Sequence, residues 1–504
     1  MTSLITKDPI VLITPPSIFL ADERVFVHLG ILKIASILER ADHPVHMIDL
    51  SGIQNYPDVI IDYLATNPHT KYIGITATTP QMPAVEAIVK VVRKQIPSAR
   101  IILGGPHVTV TNAAKKLEQR KGIIGRAHAA FHRIADLVDV LIAGDGEDAI
   151  FAALQEAPPG IIDADEVASP MFLSSDRLDH EPFPARHLVD IHSYRYAIDG
   201  VKATSLIGQL GCPYACGFCS GRLSPSFRRI RTRSIQSLLD EIKEIYLRYG
   251  FRGLMLYDDE LNVNTRMVDD MRALTKLQQE LGVEFRLRGF IKANLFKEEQ
   301  AQAMYEAGFR QICVGFESGS ERILKNINKK STRAQNTRCI EIAHKYGLKI
   351  KGFMSLGHPG ESEQTIQETQ KWLLEAQPDD FDCTVITTYP GTPYYDEAVH
   401  DHDTIWVYTA PNGDRLYAYE IDFVSCAQYY KGSIDSYESY VYTDYLTPSQ
   451  IVQGRDWIER SVRDALKIPF YKNEPASRYE HSMGQLGMLP PAIFRQSAAQ
   501  SVAC

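Results

Sequence analysis

Three cysteines crowd into the run GQLGCPYACGFCSGR: Cys212, Cys216 and Cys219, in C-x3-C-x2-C spacing. Thiolates are the usual holders of iron–sulfur clusters, and three of them leave the fourth iron of a cubane open to another ligand. A structural zinc site wants four protein ligands in a closed tetrahedron, and no fourth Cys or His lies near in sequence. The other cysteines, Cys313, Cys339, Cys383, Cys426 and Cys504, are widely and irregularly spaced, and none precedes Cys212. This is the spacing of a metal site and not of a secreted disulfide framework.

The elements that must position these thiols are β-rich runs alternating with helical patterns. ATSLIGQ (203–209), GLMLY (253–257), EFRLRG (284–289), QICVGF (311–316), KIKGFMSLG (349–357) and DCTVITTYP (382–390) read as strands. Amphipathic patterns such as Ile235, Leu238, Leu239 and Ile242 lie between them. Such βα units predict a partial (β/α)6 barrel over residues 198–400, with its chemistry at the carboxyl ends of the strands. Those ends carry the cysteine motif, then Asp258, Asp259 and Glu260 in LYDDE, Glu317 and Gly319 in GFESGS, and Ser355, Gly357 and Gly360 in MSLGHPGES. Taken singly, Glu317 has an alternative reading as a helix-capping carboxylate and 258–260 as an ordinary acidic loop. Arg286 and Arg288 share one strand face, where they orient a substrate carboxylate or pair with that loop.

The first 150 residues repeat the alternation with a faster beat. IVLIT (10–14), VHMIDL (45–50), YIGITA (72–77), RIILGG (100–105) and VLIAG (140–144) read as buried parallel strands of a Rossmann-like, doubly wound sheet. In such α/β sheets, ligands sit outside the carboxyl ends of the strands. The loops emerging there are TPPS, TATTPQMP, GGPHVT and AGDGED, rich in Gly, Pro and small hydroxyl residues. Residues 151–197 read as a linker. Residues 401–504 read as a small mixed region capping the barrel, with a tyrosine-rich stretch, a hairpin at 411–414, a helix over about 447–466 and a loose tail after 475.

The cysteine run, with Phe218 before its third cysteine, resembles the radical S-adenosylmethionine superfamily, and the later strand-end motifs agree with it in order and spacing. The resemblance implies a 4Fe–4S cluster on Cys212, Cys216 and Cys219. Its open iron chelates S-adenosylmethionine, which is then split to a 5′-deoxyadenosyl radical. Phe218, Asp258, Glu260, Glu317 and Ser355 are the residues it places around this cofactor. A Rossmann-like domain ahead of such a barrel resembles the cobalamin-dependent branch, which makes Thr14, Thr76, Gly104, Gly105, His107, Gly144 and Gly146 the expected cobalamin contacts. One departure matters. The D-x-H-x-x-G motif that brings a histidine to the cobalt is missing, since no Asp stands at the required distance before His28. His107 in GGPH is a cofactor contact or a structural turn residue.

The expected activity is methylation of an unactivated carbon in a small molecule; the rival is a radical rearrangement, cyclisation or elimination without methyl transfer. The branch also implies an electron donor such as flavodoxin or ferredoxin. A formal charge of −8 offers no footprint for nucleic acid. RRIRTR at 228–233, the densest basic run, reads as a solvated helix start. Methylthiotransferases that modify transfer RNA would bring further cysteines in the amino-terminal domain, which has none. With no leader pattern and no long apolar run, no membrane contact and a cytoplasmic location are expected.

Replacing Cys212, Cys216 or Cys219 with Ala is expected to abolish both cluster iron and 5′-deoxyadenosine formation, whereas replacing the other five together leaves iron content unchanged. Iron and sulfide assays after anaerobic reconstitution check both halves.

Overall fold

Strands that are apolar on both faces must be covered on both faces, and the first sheet is built that way. The computed structural model describes residues 8–17, 23–429 and 437–470. β1 (Ile10–Thr14), β2 (Val45–Asp49), β3 (Tyr72–Thr76), β4 (Arg100–Gly104), β5 (Val140–Gly144) and β6 (Ile161–Ala164) form a parallel sheet in the order β2-β1-β3-β4-β5-β6. One core packs Val11, Ile73 and Ile101 with the helix Met82–Gln95; the other packs Ile10, Leu12 and Ile142 with the helix Leu29–Arg40. Because β1 lies between β2 and β3, the chain order reverses beside it, which is where such sheets open a ligand crevice. β6 comes from the segment read as a linker. Its four residues, IIDA, alternate in burial and are too short to stand out in the sequence.

The second sheet holds β7 (Ala197–Ile198), β8 (Val201–Leu206), β11 (Gly253–Leu256), β12 (Arg286–Ile291), β13 (Gln311–Glu317), β14 (Lys349–Leu356) and β15 (Asp380–Val385). Its order is β15-β14-β13-β12-β11-β8-β7, and the six longer strands are parallel neighbours in chain order, the (β/α)6 partial barrel expected. β9 (Gln209–Leu210) and β10 (Arg231–Thr232) pair as a small antiparallel ribbon. A third, antiparallel sheet follows: β16 (Val399–His400), β17 (Ile405–Thr409), β18 (Arg415–Tyr419) and β19 (Val441–Thr443). β17 and β18 form the hairpin whose turn carries Gly413 at φ +90. The tail after 475 and Cys504 lie outside the described residues.

The helix Pro448–Leu466 returns to the barrel through buried charge. Arg463 bonds Glu459 at 2.6 Å and Asp380 at 3.1 Å, while Lys351 bonds Asp380 at 3.0 Å and Asp382 at 2.9 Å, every one of these side chains fully shielded from solvent. Charges in such a place hold only while matched.

The basic run 228–233 is not a solvated helix start. Arg231 is buried, its guanidinium on Asp145 after β5 and on the Leu173 carbonyl at 3.0 Å. Arg233 pairs with Glu241, which also takes Arg186 at 2.7 Å. Asp145 lies far away in sequence and Glu241 sits unmarked in the next helix, so only folding shows these arginines to be internal.

Arg463→Leu takes from Asp380, Asp382 and Glu459 one of the two cations they share, the other being Lys351; it is expected to cost about 3–5 kcal/mol, read from urea unfolding of the full chain.

Candidate active site

The cysteine loop leaves β8 at Leu206 and is held by backbone bonds from several elements. Cys212 N donates to Phe227 O at 2.8 Å, Gly217 N to Ile327 O at 2.8 Å, and Cys219 N to Cys216 O at 3.1 Å. Gly211 turns at φ +88, and a Cβ there would stand 2.1 Å from Arg229 O, so no other residue fits. Asn328 Nδ2 ties Ala215 O at 2.9 Å. Cys216 is buried, Cys212 half-buried, and Cys219 keeps an exposed surface at the rim. Surrounding protein nevertheless pushes the Cys212 and Cys219 thiols up to about 11, chiefly by desolvation, so iron binding must release their protons. Among the described residues no three Cys, His, Asp or Glu side chains converge on a single ion. A cubane asks for a wider spread, one thiolate on each of three irons.

Around this loop the carboxyl ends of β11 to β14 assemble a buried polar cluster. Asp258 accepts Gly208 N at 2.7 Å and is pushed up to about 7 by burial. Glu260 is likewise raised to about 7 by burial, and its Oε2 is buried without a hydrogen-bond partner, as is Gln209 Oε1 nearby. Such orphaned acceptors suit an ammonium group. Glu317 sits in the left-handed region at φ +65, at a register shift between β13 and β14. That conformation is costly for Glu and persists only where surroundings impose it. Here Lys329 Nζ holds Oε1 at 2.9 Å and Ser355 Oγ holds Oε2 at 2.9 Å. The Lys329 ammonium, opposed by burial, is kept charged by Glu317 and the Cys216 side. Lys292 donates to Lys329 O at 2.9 Å and lies 4.2 Å over the Tyr214 ring.

Ser355 continues to His358 Nε2 at 2.8 Å, whose Nδ1 meets Tyr394 OH at 3.3 Å. The His358 ring packs edge-on to Phe218 at 5.5 Å, and a Cβ on Gly217 would strike Tyr394 at 2.7 Å. Phe218 is thus wedged between the cysteines and the ends of β14 and β15. Lys292, Lys329, His358 and Tyr394 were not singled out in the sequence. Lys292 and His358 lie just past strand ends, Lys329 follows the helix Glu321–Asn326 and Tyr394 lies in the helix Pro393–Asp396, and none of them has a distinguishing spacing. Gly319 and Gly360 serve local packing: a Cβ would meet Trp372 at 2.6 Å and Asp414 at 2.4 Å respectively. Arg288 is buried and donates to Tyr196 OH at 2.8 Å, while Arg286 reaches Glu284 at the surface.

The first sheet presents its carboxyl edge to the same loop. Asp165, just after β6, accepts Ser224 Oγ at 2.7 Å and Ser226 N at 2.9 Å from the segment following Cys219. A Cβ on Gly391 would lie 2.7 Å from Ser220 O and 3.4 Å from Val110 O, which brings three segments to one point. Thr14 is buried at the end of β1, and Thr76 lies half-buried at the end of β3. Gly104 is half-buried, and a Cβ there would make only ordinary contact with Ile142, at 3.7 Å. Gly105, Gly144 and Gly146 have reasons within the fold: a Cβ would come within 2.7 Å of Thr76, 2.5 Å of Asp165 and 2.9 Å of Ile34. His107 is buried, its Nδ1 on Thr79 Oγ1 at 3.1 Å and its ring edge-on to Phe423. A sheet edge of small residues with a half-buried glycine at 104 fits a large planar ring, and three thiols beside two orphaned acceptors fit the cluster and S-adenosylmethionine.

The sequence model of the Radical SAM superfamily matches residues 206–373, and that of the B12 binding domain matches 23–135. This chain is a cobalamin-dependent radical S-adenosylmethionine enzyme. The enzyme therefore works with a 4Fe–4S cluster, S-adenosylmethionine and cobalamin. It is 28% identical to an uncharacterised methyltransferase of Pyrococcus horikoshii, over 74% of this chain and 78% of the relative. It is 24% identical to the anaerobic magnesium-protoporphyrin IX monomethyl ester cyclase of Cereibacter sphaeroides, over 68% and 55%. Its fold is that of the radical S-adenosylmethionine methyltransferase TsrM from Kitasatospora setae, solved with cobalamin and a [4Fe-4S] cluster: TM-score 0.62 at 15% identity, over 95% of this chain and 91% of that one. Among the described residues no helix is long and apolar enough to cross a membrane.

His107 supplies a pH test of the first sheet's edge. Burial holds it at about 4 against an ordinary 6.5, so between those values the unfolded chain binds a proton that the folded chain refuses. The stability this contributes is complete above 6.5 and is lost as pH falls toward 4. His107→Gln is expected to flatten that limb: relative to pH 7, the wild type should lose about 2.5 kcal/mol more than the variant at about pH 4.5. Urea titrations of both proteins check it.

Proposed function

We propose that this enzyme transfers a methyl group to an unactivated carbon of a small molecule, with the corrinoid held by residues 1–150 and the cluster by residues 198–400. The observation that carries this reading is the clamp between the two cofactor edges. Asp165 and Asp145, both at carboxyl ends of the first sheet, hold Ser224, Ser226 and Arg231, which bracket the exit of the cysteine loop. Two reagents that must meet one carbon need their edges fixed face to face, since misplacement by about an ångström costs roughly a hundredfold in rate. The cluster, when bound, supplies the electron that splits the sulfonium, and the corrinoid supplies the methyl group.

In this reading Cys212, Cys216 and Cys219 bind the irons, and Phe218, braced by His358, shields them from water. Glu260 accepts from the methionine ammonium. Glu317, locked by Lys329 and Ser355, would hold a carboxylate beside S-adenosylmethionine without spending reorganisation during the reaction. Thr14, Thr76 and Gly104 line the corrinoid edge, with Gly105, Gly144 and Gly146 shaping the loops behind them. His107 stays a packing residue, its ring occupied by Thr79 and Phe423, and the corrinoid is held without a histidine on its cobalt. A flavodoxin- or ferredoxin-like donor supplies the electron, in the reducing cytoplasm where a low-potential cluster survives.

Incubation of reconstituted enzyme with methyl-labelled S-adenosylmethionine and a cell metabolite extract is expected to yield a product heavier than its precursor by one labelled methylene. Formation of 5′-deoxyadenosine with only isomeric or lighter products would establish the rearrangement or elimination reading instead.

A further inference from the structure

The barrel interior carries a layer that the proposed chemistry does not use. Alternate residues of a strand face the lumen. Toward the amino ends of β12, β13 and β14 these are Arg288, Cys313 and Lys351, and toward or just past the carboxyl ends they are Lys292, Glu317 and Ser355, all of them buried. Phe290 and Phe353 come between, one step below Lys292 and Ser355, and both keep part of their rings open to solvent. Gly315 holds the matching place on β13. A Cβ there would come within 2.6 Å of Glu317 Oε1 and 3.0 Å of Lys329 Nζ. With no side chain on the middle strand, Phe290 and Phe353 meet across it at a centroid distance of 5.7 Å, although strands two apart are separated by about 9–10 Å.

The row extends to both fold halves. Tyr257, directly before Asp258, lies 6.5 Å from Phe290, and Phe26, from the first-domain segment leading into the helix Leu29–Arg40, lies 5.5 Å from Tyr257. Tyr257 is 38% exposed and Phe26 half-buried. Accessible rings between two buried polar layers mark a recess, because a filled core would leave them no exposure. Two of the neighbouring cations are ion-paired, Lys351 with Asp380 and Asp382 and Lys329 with Glu317, while Arg288 donates to the Tyr196 hydroxyl and Lys292 to the Lys329 carbonyl. The rings meet at interplanar angles of 48°, 75° and 38°, so the recess presents both faces and edges.

We infer that this aromatic recess is the substrate site and that the part of the substrate it grips is a flat, uncharged ring. The inference rests on the methyl-transfer reading for its reaction and deepens it by naming the substrate class. Stacked and edge-on contacts add about 0.5–1.5 kcal/mol each beyond area burial, a gain open to a planar ring and closed to an alkyl chain of equal area. A charged substrate would have to compete with the Lys329–Glu317 pair above and the Lys351 pairs below, and would leave water without a partner of its own among the rings. The ring is held one residue pair beneath Glu317 and Ser355, so an edge carbon faces the proposed radical source on one side and the first domain, through Phe26, on the other.

Calorimetry on the reconstituted holoenzyme, with indole as the planar probe and n-hexanol as the linear one, tests the assignment. Indole should bind at one site, more tightly than n-hexanol, and Phe353→Leu and Tyr257→Ala should each weaken it about tenfold while changing n-hexanol less than about twofold. Tyr257 is more exposed than Phe353, so Tyr257→Ala decides the matter even if Phe353→Leu fails to fold. Unchanged indole affinity in the folded variants, or n-hexanol binding as tightly as indole, overturns the recess. Transfer of labelled methyl from S-adenosylmethionine to the corrinoid, followed on the same samples, separates the two claims: its absence with indole binding intact refutes the methyl-transfer reading and leaves the recess standing, and its presence with indole affinity insensitive to both variants refutes the recess alone.

Discussion

Two carboxylates at the edge of the first sheet decide the geometry of everything downstream. Asp165 and Asp145 lie at the carboxyl ends of β6 and β5, and each takes donors from the segment that follows the cysteines. A carboxylate taken out of water is tolerable only when several donors converge on it, so these contacts tolerate little displacement. They hold the cysteine loop against the sheet edge where a corrinoid would lie. Arg231 extends the same clamp by closing β10 on β9, which in turn fixes Gly211 and the start of the cysteine motif.

Inside the barrel the polar groups are arranged in two layers. Arg463, Asp380, Asp382, Lys351 and Glu459 form the lower layer, and Lys329, Glu317, Ser355 and His358 the upper. Hydrophobic side chains would fill this volume with less desolvation cost, so the charges are a specificity device as much as a stabilising one: each demands a particular partner, which sets the register of β13 to β15 and seats the helix Pro448–Leu466. The strained backbone of Glu317 is the visible sign of that demand. Its left-handed φ bends β13 at the register shift and turns the carboxylate toward Lys329 and Ser355. The same bend, with Gly315 before it, keeps the aromatic layer below uncrowded.

Much of this was legible in the residues themselves, for a physical reason. Parallel strands buried on both faces are apolar throughout, and the helices between them repeat every three or four residues, so both βα series and their chain order were apparent. A cluster loop needs closely spaced thiols, and close spacing is a local property; the same holds for the Gly-rich loops and for the missing D-x-H-x-x-G. By itself the sequence determined the two parallel sheets, the three-thiol motif and the cofactor class that goes with it.

Tertiary structure alone decided what depends on contacts between distant segments. Arg231 and Arg233 read as surface charge because their partners, Asp145 and Glu241, are distant in sequence or hidden in an ordinary helix. β6 escaped notice because four residues carry too little pattern. Lys329, Lys292, His358 and Tyr394 have no motif; they matter because Glu317, Phe218 and Gly217 stand beside them. The glycines at 105, 144 and 146, read as room for a ligand, are required first by Thr76, Asp165 and Ile34, since a missing Cβ records how closely something approaches and not what approaches. Spacing along the chain encodes local chemistry, whereas which buried charge meets which, and which ring is left uncovered, is settled only when the sheets close on one another.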